Sequence, residues 1–203
     1  MTAARVGSLI EISASESSLA PAIKTAAVAF AVLVTAAAAQ VSMPLPLTPV
    51  PLVLTPLAVL VSSAALGSRL GATAQMLYLL AGIAGLPVFA PSALLPPGAG
   101  RLLGPTGGYL MAYPVAAFVT GWLAERGWDR RYVTSFAAML IGLTIIFAGG
   151  LSWLAATVTH SLSAAVTAGL KWFVVLDLLK LLAGAMILPQ AWKLLHFPNT
   201  SKY

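Results

Sequence analysis

The chain has 203 residues, is 60% hydrophobic and only 8% charged, and carries a formal net charge of +6. With a mean hydropathy of +0.95 this excludes a soluble globular domain and points to a polytopic membrane protein. No cysteine is present, which excludes a disulfide framework and thiol chemistry, and the basic residues stand singly in loops, without the stripe that nucleic acid requires.

Residues 1–20 are polar and serine-rich, with Glu11 and Glu16, and predict a short cytoplasmic tail, mobile or lying on the surface. Six apolar segments follow at 23–41, 53–67, 71–87, 107–124, 133–157 and 173–189. Their runs are long and unalternating, so they predict helices, not barrel strands. Several fall short of the ~20 residues that cross the hydrocarbon core. Short, glycine-interrupted segments suit a compact bundle around a central site. The expected fold is therefore an all-α membrane protein with six transmembrane helices over 21–190, followed by a cytoplasmic tail at 191–203.

In the first segment Ala27 and Ala31 form an AxxxA pattern that would let another helix approach closely; in so alanine-rich a chain, chance spacing is the competing account. Lys24, the apolar run and VTAAAAQ also resemble a signal peptide. Its leading region would be unusually long and would hold two glutamates, so a first helix is the favoured reading.

Next comes MPLPLTPVPLVLTP, with Pro44, Pro46, Pro49, Pro51 and Pro56 and no charge. Prolines fix φ and remove donors, giving a stiff extended strip. It is too apolar for a solvated loop and is read as a lid over the bundle in preference to a mere connector. GSRLG, with Gly67 and Gly71, reads as a tight cytoplasmic turn. The stretch from Gly85 to Tyr109, GLPVFAPSALLPPGAGRLLGPTGGY, is full of helix breakers. Thr106, Gly107 and Gly108 open the fourth segment, where glycines admit close backbone approach and helix-start N–H groups point outward. Packing glycines look the same in sequence. Tyr109 adds a ring with a hydroxyl. RGWDRR then anchors the inner side.

Lys and Arg counts set the orientation. Arg5, Lys24, Arg69, Arg126, Arg130, Arg131, Lys193 and Lys202 lie on one side and Arg101 on the other. Both termini are expected in the cytoplasm, with 42–52, 88–106 and 158–172 facing outward.

The last segment holds Asp177 and Lys180 in FVVLDLLKLLAGAMIL. Charges inside a span are costly and mark cavities, partners or substrates. Three residues apart, they share one helix face. That face offers an acceptor-only carboxylate beside a donor-only ammonium, suited to a small bifunctional polar ligand. An internal ion pair holding the bundle is the competing reading.

No GxxxxGK[ST] occurs, so the chain is not its own ATPase. With one aspartate in a loop and one in a span, a membrane aspartyl protease fails. His160 and Ser161 are neighbours in an outer loop without a GxSxG elbow, and metal ligands are too few for a site.

LGSRLGATAQMLYLLAGIAGLPVFA at 66–90, LGPTGGYLMAYPVAAFVTGWLAERG at 103–127 and DLLK at 177–180, with PVP at 49–51 and LAVL at 57–60, resemble the BioY family over about residues 45–185. The resemblance implies a six-helix S component of an energy-coupling-factor transporter that binds biotin near its outer face. It implies a transmembrane coupling subunit and two ABC-type ATPases as partners, and no enzyme activity or cofactor. Biotin contacts would come from Asp177, Lys180, Thr106, Gly107, Gly108 and Tyr109, with Tyr78 covering apolar surface. Ala27 and Ala31 would meet the coupling subunit. Two stretches depart from the family pattern: Thr55-Pro56 where a glutamine is usual, and Val175-Leu176 where proline-glycine is usual. The second would extend the last helix outward. Slow transport by the lone protein or a homo-oligomer, an S component for another vitamin, an intramembrane lipid enzyme and a purely structural subunit are the remaining alternatives.

Overall fold

The computed structural model describes residues 8–10, 19–45, 48–92 and 95–195. Most of the expected N-terminal tail, the segment end after 195, and Arg5, Glu11, Glu16, Pro46 and Lys202 lie outside the described residues.

Helix α1, Ala20–Gln40, starts with Pro21 in its first turn, where the missing N–H costs nothing. Its buried residues Val28, Ala31, Thr35 and Ala39 recur every three or four positions and form one stripe. That stripe packs on α2, Thr55–Leu66, and α3, Ser68–Ile83. Between α1 and α2 the proline-rich strip folds back as a two-residue ladder not anticipated from sequence. β1, Ser42–Met43, pairs antiparallel with β2, Leu52–Val53, in register Ser42 with Val53.

A single residue, Gly67, joins α2 to α3 at φ 85°, a conformation that costs glycine nothing. Gly71, also expected in this turn, is instead the fourth residue of α3, where a Cβ would stand 2.9 Å from the Ser63 Cβ. Starting α3 at Ser68 moves it three residues ahead of the expected start, and it stops before Gly85 at φ 95°. Glu125 holds the junction from across the bundle: its Oε1 accepts the Ser68 N–H and hydroxyl, each at 2.7 Å. A carboxylate at a helix N-terminus also meets the positive end of the dipole. Glu125→Ala is expected to cost about 1–2 kcal/mol, read as a lower Tm in detergent.

Residues 8–10 do not trail away as a tail. Ser8 is buried and donates to the Leu66 carbonyl at 3.1 Å, and Ile10 packs on the cluster of Val28, Ala31, Leu66 and Ala74.

Helix α4, Gly100–Leu103, is a single turn before α5, Gly107–Ala124. α5 is the central element, packed on α2, α3 and α6, Tyr132–Leu154. The last turn of α6 widens into a π-helical stretch, Ala155–Thr159, ended by His160 at φ 50°. After α7, Leu162–Gly169, the chain turns into α8, Val174–Leu195, which runs six residues past the expected end. Trp192 explains the extension: its indole N–H donates to the buried Asp129 Oδ2 at 2.6 Å. Burial pushes the Asp129 carboxyl above its ordinary range, with the Trp192 bond and Arg130 pulling the other way.

Among the described residues three helices are long and apolar enough to cross a membrane: Ala20–Gln40, Tyr132–Thr159 and Val174–Leu194. The protein is thus an all-α membrane protein apart from its short ladder.

Candidate functional site

Asp177 lies in the first turn of α8. Val175 and Leu176 are helical, and α8 begins only three residues before the carboxylate, which therefore stays near the positive helix end. Its Oδ1 accepts from Lys180 Nζ at 2.7 Å, and side-chain exposures are 8% and 16%. The same ammonium donates to the Val53 carbonyl at 2.8 Å. One cation thus ties α8 to the end of the proline-rich strip.

Beside Asp177 is a cavity of about 60 Å³. Val50, Pro51, Leu52 and Val53 of the strip form one wall; Tyr78, Thr106, Tyr109 and Asp177 also line it. The strip is latched in place: Thr48 Oγ1 donates to the Ala168 carbonyl at 2.6 Å and accepts the Val50 N–H at 3.1 Å. Lys180 does not line this space. It lies beside it, with Pro56 and Leu181, in contact with the carboxylate it neutralises.

The tyrosines are aimed by their hydroxyls and by missing side chains around them. Tyr109 Oη donates to the Gly169 carbonyl at 3.1 Å, and its ring meets Phe147 edge-on at 6.1 Å. A Cβ on Gly150 or Gly169 would overlap that tyrosine. Tyr78 Oη donates to the Val88 carbonyl at 3.2 Å, and its ring meets Phe89 edge-on at 5.4 Å. Thr106 is the residue preceding α5. Gly107 and Gly108 are elsewhere. A Cβ on Gly107 would overlap the Leu102 carbonyl oxygen, and one on Gly108 would overlap Trp153 and the Gly149 carbonyl. Both glycines let α5 approach its neighbours and do not line the cavity. The Trp153 indole N–H, donating to the Gly104 carbonyl at 3.0 Å, closes the same corner.

Ala31 is 3% exposed, packed inward with Leu66 and Ala74, and Ala27 is half-buried beside it. The outward face of α1 is carried by Phe30 and Leu33.

Sequence reasoning missed Arg101. It is 7% exposed, lines the cavity, and donates to the Leu95 carbonyl at 3.0 Å and to the Ala90 carbonyl. Burial pulls its pKa below the ordinary guanidinium value, opposed by Tyr78; a guanidinium stays charged even so. Its signal was visible: a lone basic residue in an outward-facing run of prolines and glycines. Tyr113, Phe89 and Phe173 also line the space. The cavity thus presents one carboxylate, one guanidinium and aromatic walls. It can accept a ligand's N–H groups at one point, neutralise an anion at another, and cover an apolar body between them. Among the described residues no group of three His, Asp or Glu side chains comes together to hold a metal.

The model of the family described as BioY family matches residues 12–197. The chain is 39% identical over 143 residues to the biotin transporter BioY of Thermotoga maritima, covering 70% of this chain and 81% of that one. It is 36% identical over 163 residues to a probable biotin transporter BioY of Pyrococcus horikoshii, covering 79% and 90%. The fold is similar to the crystal structure of the S-component for biotin from an ECF-type ABC transporter, with a TM-score of 0.79, 21% identity and coverage of 87% of this chain and 94% of that chain.

Proposed function

The chain belongs to the BioY family, and on that premise we propose that it takes up biotin as the S component of an ECF-type transporter. The observation that carries the site is the small cavity in which Asp177 and Arg101 both have a face. The ureido N–H groups of biotin donate to the Asp177 carboxylate, and its carboxylate tail meets the Arg101 guanidinium. Charge-assisted bonds of this kind are short and about twice as strong as neutral ones. Tyr78, Tyr109 and Thr106 bound the bicycle. Lys180 serves indirectly, by keeping Asp177 ionised and aimed. Gly107 and Gly108 serve by letting α5 approach closely enough to form the wall.

In this reading six helices, α1, α2, α3, α5, α6 and α8, cross the membrane, and both termini are cytoplasmic. The bundle of 21–190 is the binding domain, flanked by the segments 1–20 and 191–203. The cavity end faces outward. A coupling subunit and two ABC-type ATPases supply the energy, since the chain has no phosphate-binding loop. The α1 face that includes Ala27 and Ala31 meets the coupling subunit, and Ala31 becomes available only if α1 shifts away from Leu66 and Ala74. Uptake by biotin-auxotrophic cells lacking any coupling subunit would instead mark autonomous transport.

A space of about 60 Å³ is far below the roughly 300–1,000 Å³ of small-molecule pockets. The strip over Val50–Val53 therefore has to swing out for the vitamin to enter and then reclose on it. Thr48→Val removes its latch to Ala168. The expected result is release of biotin about fivefold faster, the worth of one ordinary hydrogen bond, measured by dissociation of labelled biotin.

Labelled-biotin binding to purified protein, competed with thiamine, riboflavin and desthiobiotin, tests the ligand. Asp177→Asn keeps the side chain's shape and loses its charge, and is expected to weaken binding about ten- to thirtyfold. Calorimetry giving wild-type affinity for that variant would reject the assignment.

A further inference from the structure

At the end of the bundle where α5 turns into α6, every exposed charge among the described residues is basic. Arg69, Arg131 and Lys193 are exposed, and Arg126 and Arg130 are half-buried. The two acids at this end turn inward: Glu125, 5% exposed, caps α3, and Asp129, 1% exposed, receives the Trp192 indole. From this basic end a groove of about 510 Å³ runs between α6 and α8, lined by Tyr132, Val133, Phe136, Leu182, Ala183 and Met186. Apart from the Tyr132 hydroxyl these are apolar side chains. Lys193 stands at its mouth, with Nζ 3.3 Å from Tyr132 Oη and 5.3 Å from the ring centroid. No carboxylate among the described residues pairs with this ammonium. Beside it the Arg130 guanidinium stacks 4.5 Å over the Trp192 ring.

An apolar trough that ends at an unneutralised ammonium complements one kind of molecule, an acyl chain bearing an anionic headgroup. We propose that this groove is a binding site for an anionic phospholipid of the adjoining leaflet. The chain lies along Val133, Phe136, Leu182 and Met186, and the phosphate accepts from Lys193 with Arg131 adding charge. Basic pockets between transmembrane helices select acidic headgroups in this way, and aromatic residues hold the headgroup level. Bulk lipid could cover the same apolar surface, but would give no headgroup preference. The charge placement is what favours the anion. The inference rests on the membrane-embedded reading and not on the vitamin.

Native mass spectrometry of the detergent-purified full chain, titrated with phosphatidylglycerol or with phosphatidylcholine of identical chains, tests it. Wild type is expected to retain one phosphatidylglycerol at least about fivefold better than phosphatidylcholine, the worth of one basic residue near a headgroup. Arg131→Ala with Lys193→Ala should bring the two lipids level. Ala183→Trp fills the trough but keeps both charges, and should also reduce phosphatidylglycerol retention about fivefold or more. Equal retention of both lipids by wild type overturns the proposal. So does undiminished phosphatidylglycerol binding by Ala183→Trp, which decides the matter even where the double variant fails to fold. If Ala183→Trp instead splits a dimer in light scattering with lipid retention intact, the groove is a self-interface and the proposal fails. Biotin calorimetry on the same samples keeps the two readings apart. Loss of lipid selectivity with biotin binding intact sinks only the lipid site, and the reverse sinks only the vitamin.

Discussion

Lys180→Met is expected to weaken biotin binding as much as Asp177→Asn, about ten- to thirtyfold, and to lower stability by about 3–5 kcal/mol, the cost of removing one partner from a buried ion pair. Two groups lose their donor at once. Asp177, with a side chain 8% exposed, is left as a charge without a counter-ion, and the Val53 carbonyl is left without the ammonium 2.8 Å away. The carboxyl can escape its predicament by taking up a proton. It then carries an O–H donor and only a neutral carbonyl as acceptor at the point where the ligand's N–H groups would arrive, so affinity falls along with stability. Combining Lys180→Met with Asp177→Asn should restore most of the stability, because deleting both members of a buried pair is often close to neutral. It should not restore binding. A double-mutant cycle read by Tm and by calorimetry checks both halves. Full affinity in Lys180→Met would reduce the pair to scaffolding.

The second large effect is expected from Gly108→Val. A Cβ there already overlaps Trp153 and the Gly149 carbonyl, and a backbone carbonyl cannot rotate away as a side chain can. Helices α5 and α6 would have to separate. Overpacking typically costs about 1–3 kcal/mol and sometimes more, and this site belongs at the top of that range because the obstacle is main chain. Tyr109, on the next residue of α5 and fitted against Gly150 of α6, would be displaced with the wall. Thermal unfolding should fall by several degrees or more, and biotin binding should drop with it. A variant as stable as wild type would show that the helices have slack at this crossing.

The helices were legible because lipid leaves the backbone few options: an unalternating apolar run must satisfy its own N–H and C=O groups. Their ends were less so. α3 begins at Ser68 because Gly67 alone makes the turn, and α8 reaches Leu195 because Trp192 has a carboxylate to bond on a loop 63 residues earlier. Neither cause is local in sequence. The same limit applies to the site. Asp177 and Lys180 stood out as charges in an apolar run, and their mutual bond follows from helical spacing. Lys180's second partner, Val53, is 127 positions away and left no mark on the pattern around the lysine. Arg101's charge indicates a side of the membrane, and a lone cation among prolines and glycines also has few places to put that charge. For Gly107 and Gly108 the residue type announced close approach without saying to what, and the answer is a tryptophan and a carbonyl.

The small size of the hollow also sets a clock. If the guest has to wait for Val50–Val53 to part, the observed association rate cannot keep climbing with biotin concentration. It should level off at the frequency with which that strip lifts, and a rise that stays linear far beyond the dissociation constant would mean the doorway stands open. Binding steps that require such a rearrangement run slower than simple docking. A transporter of this design would trade speed of capture for a long hold on a scarce solute.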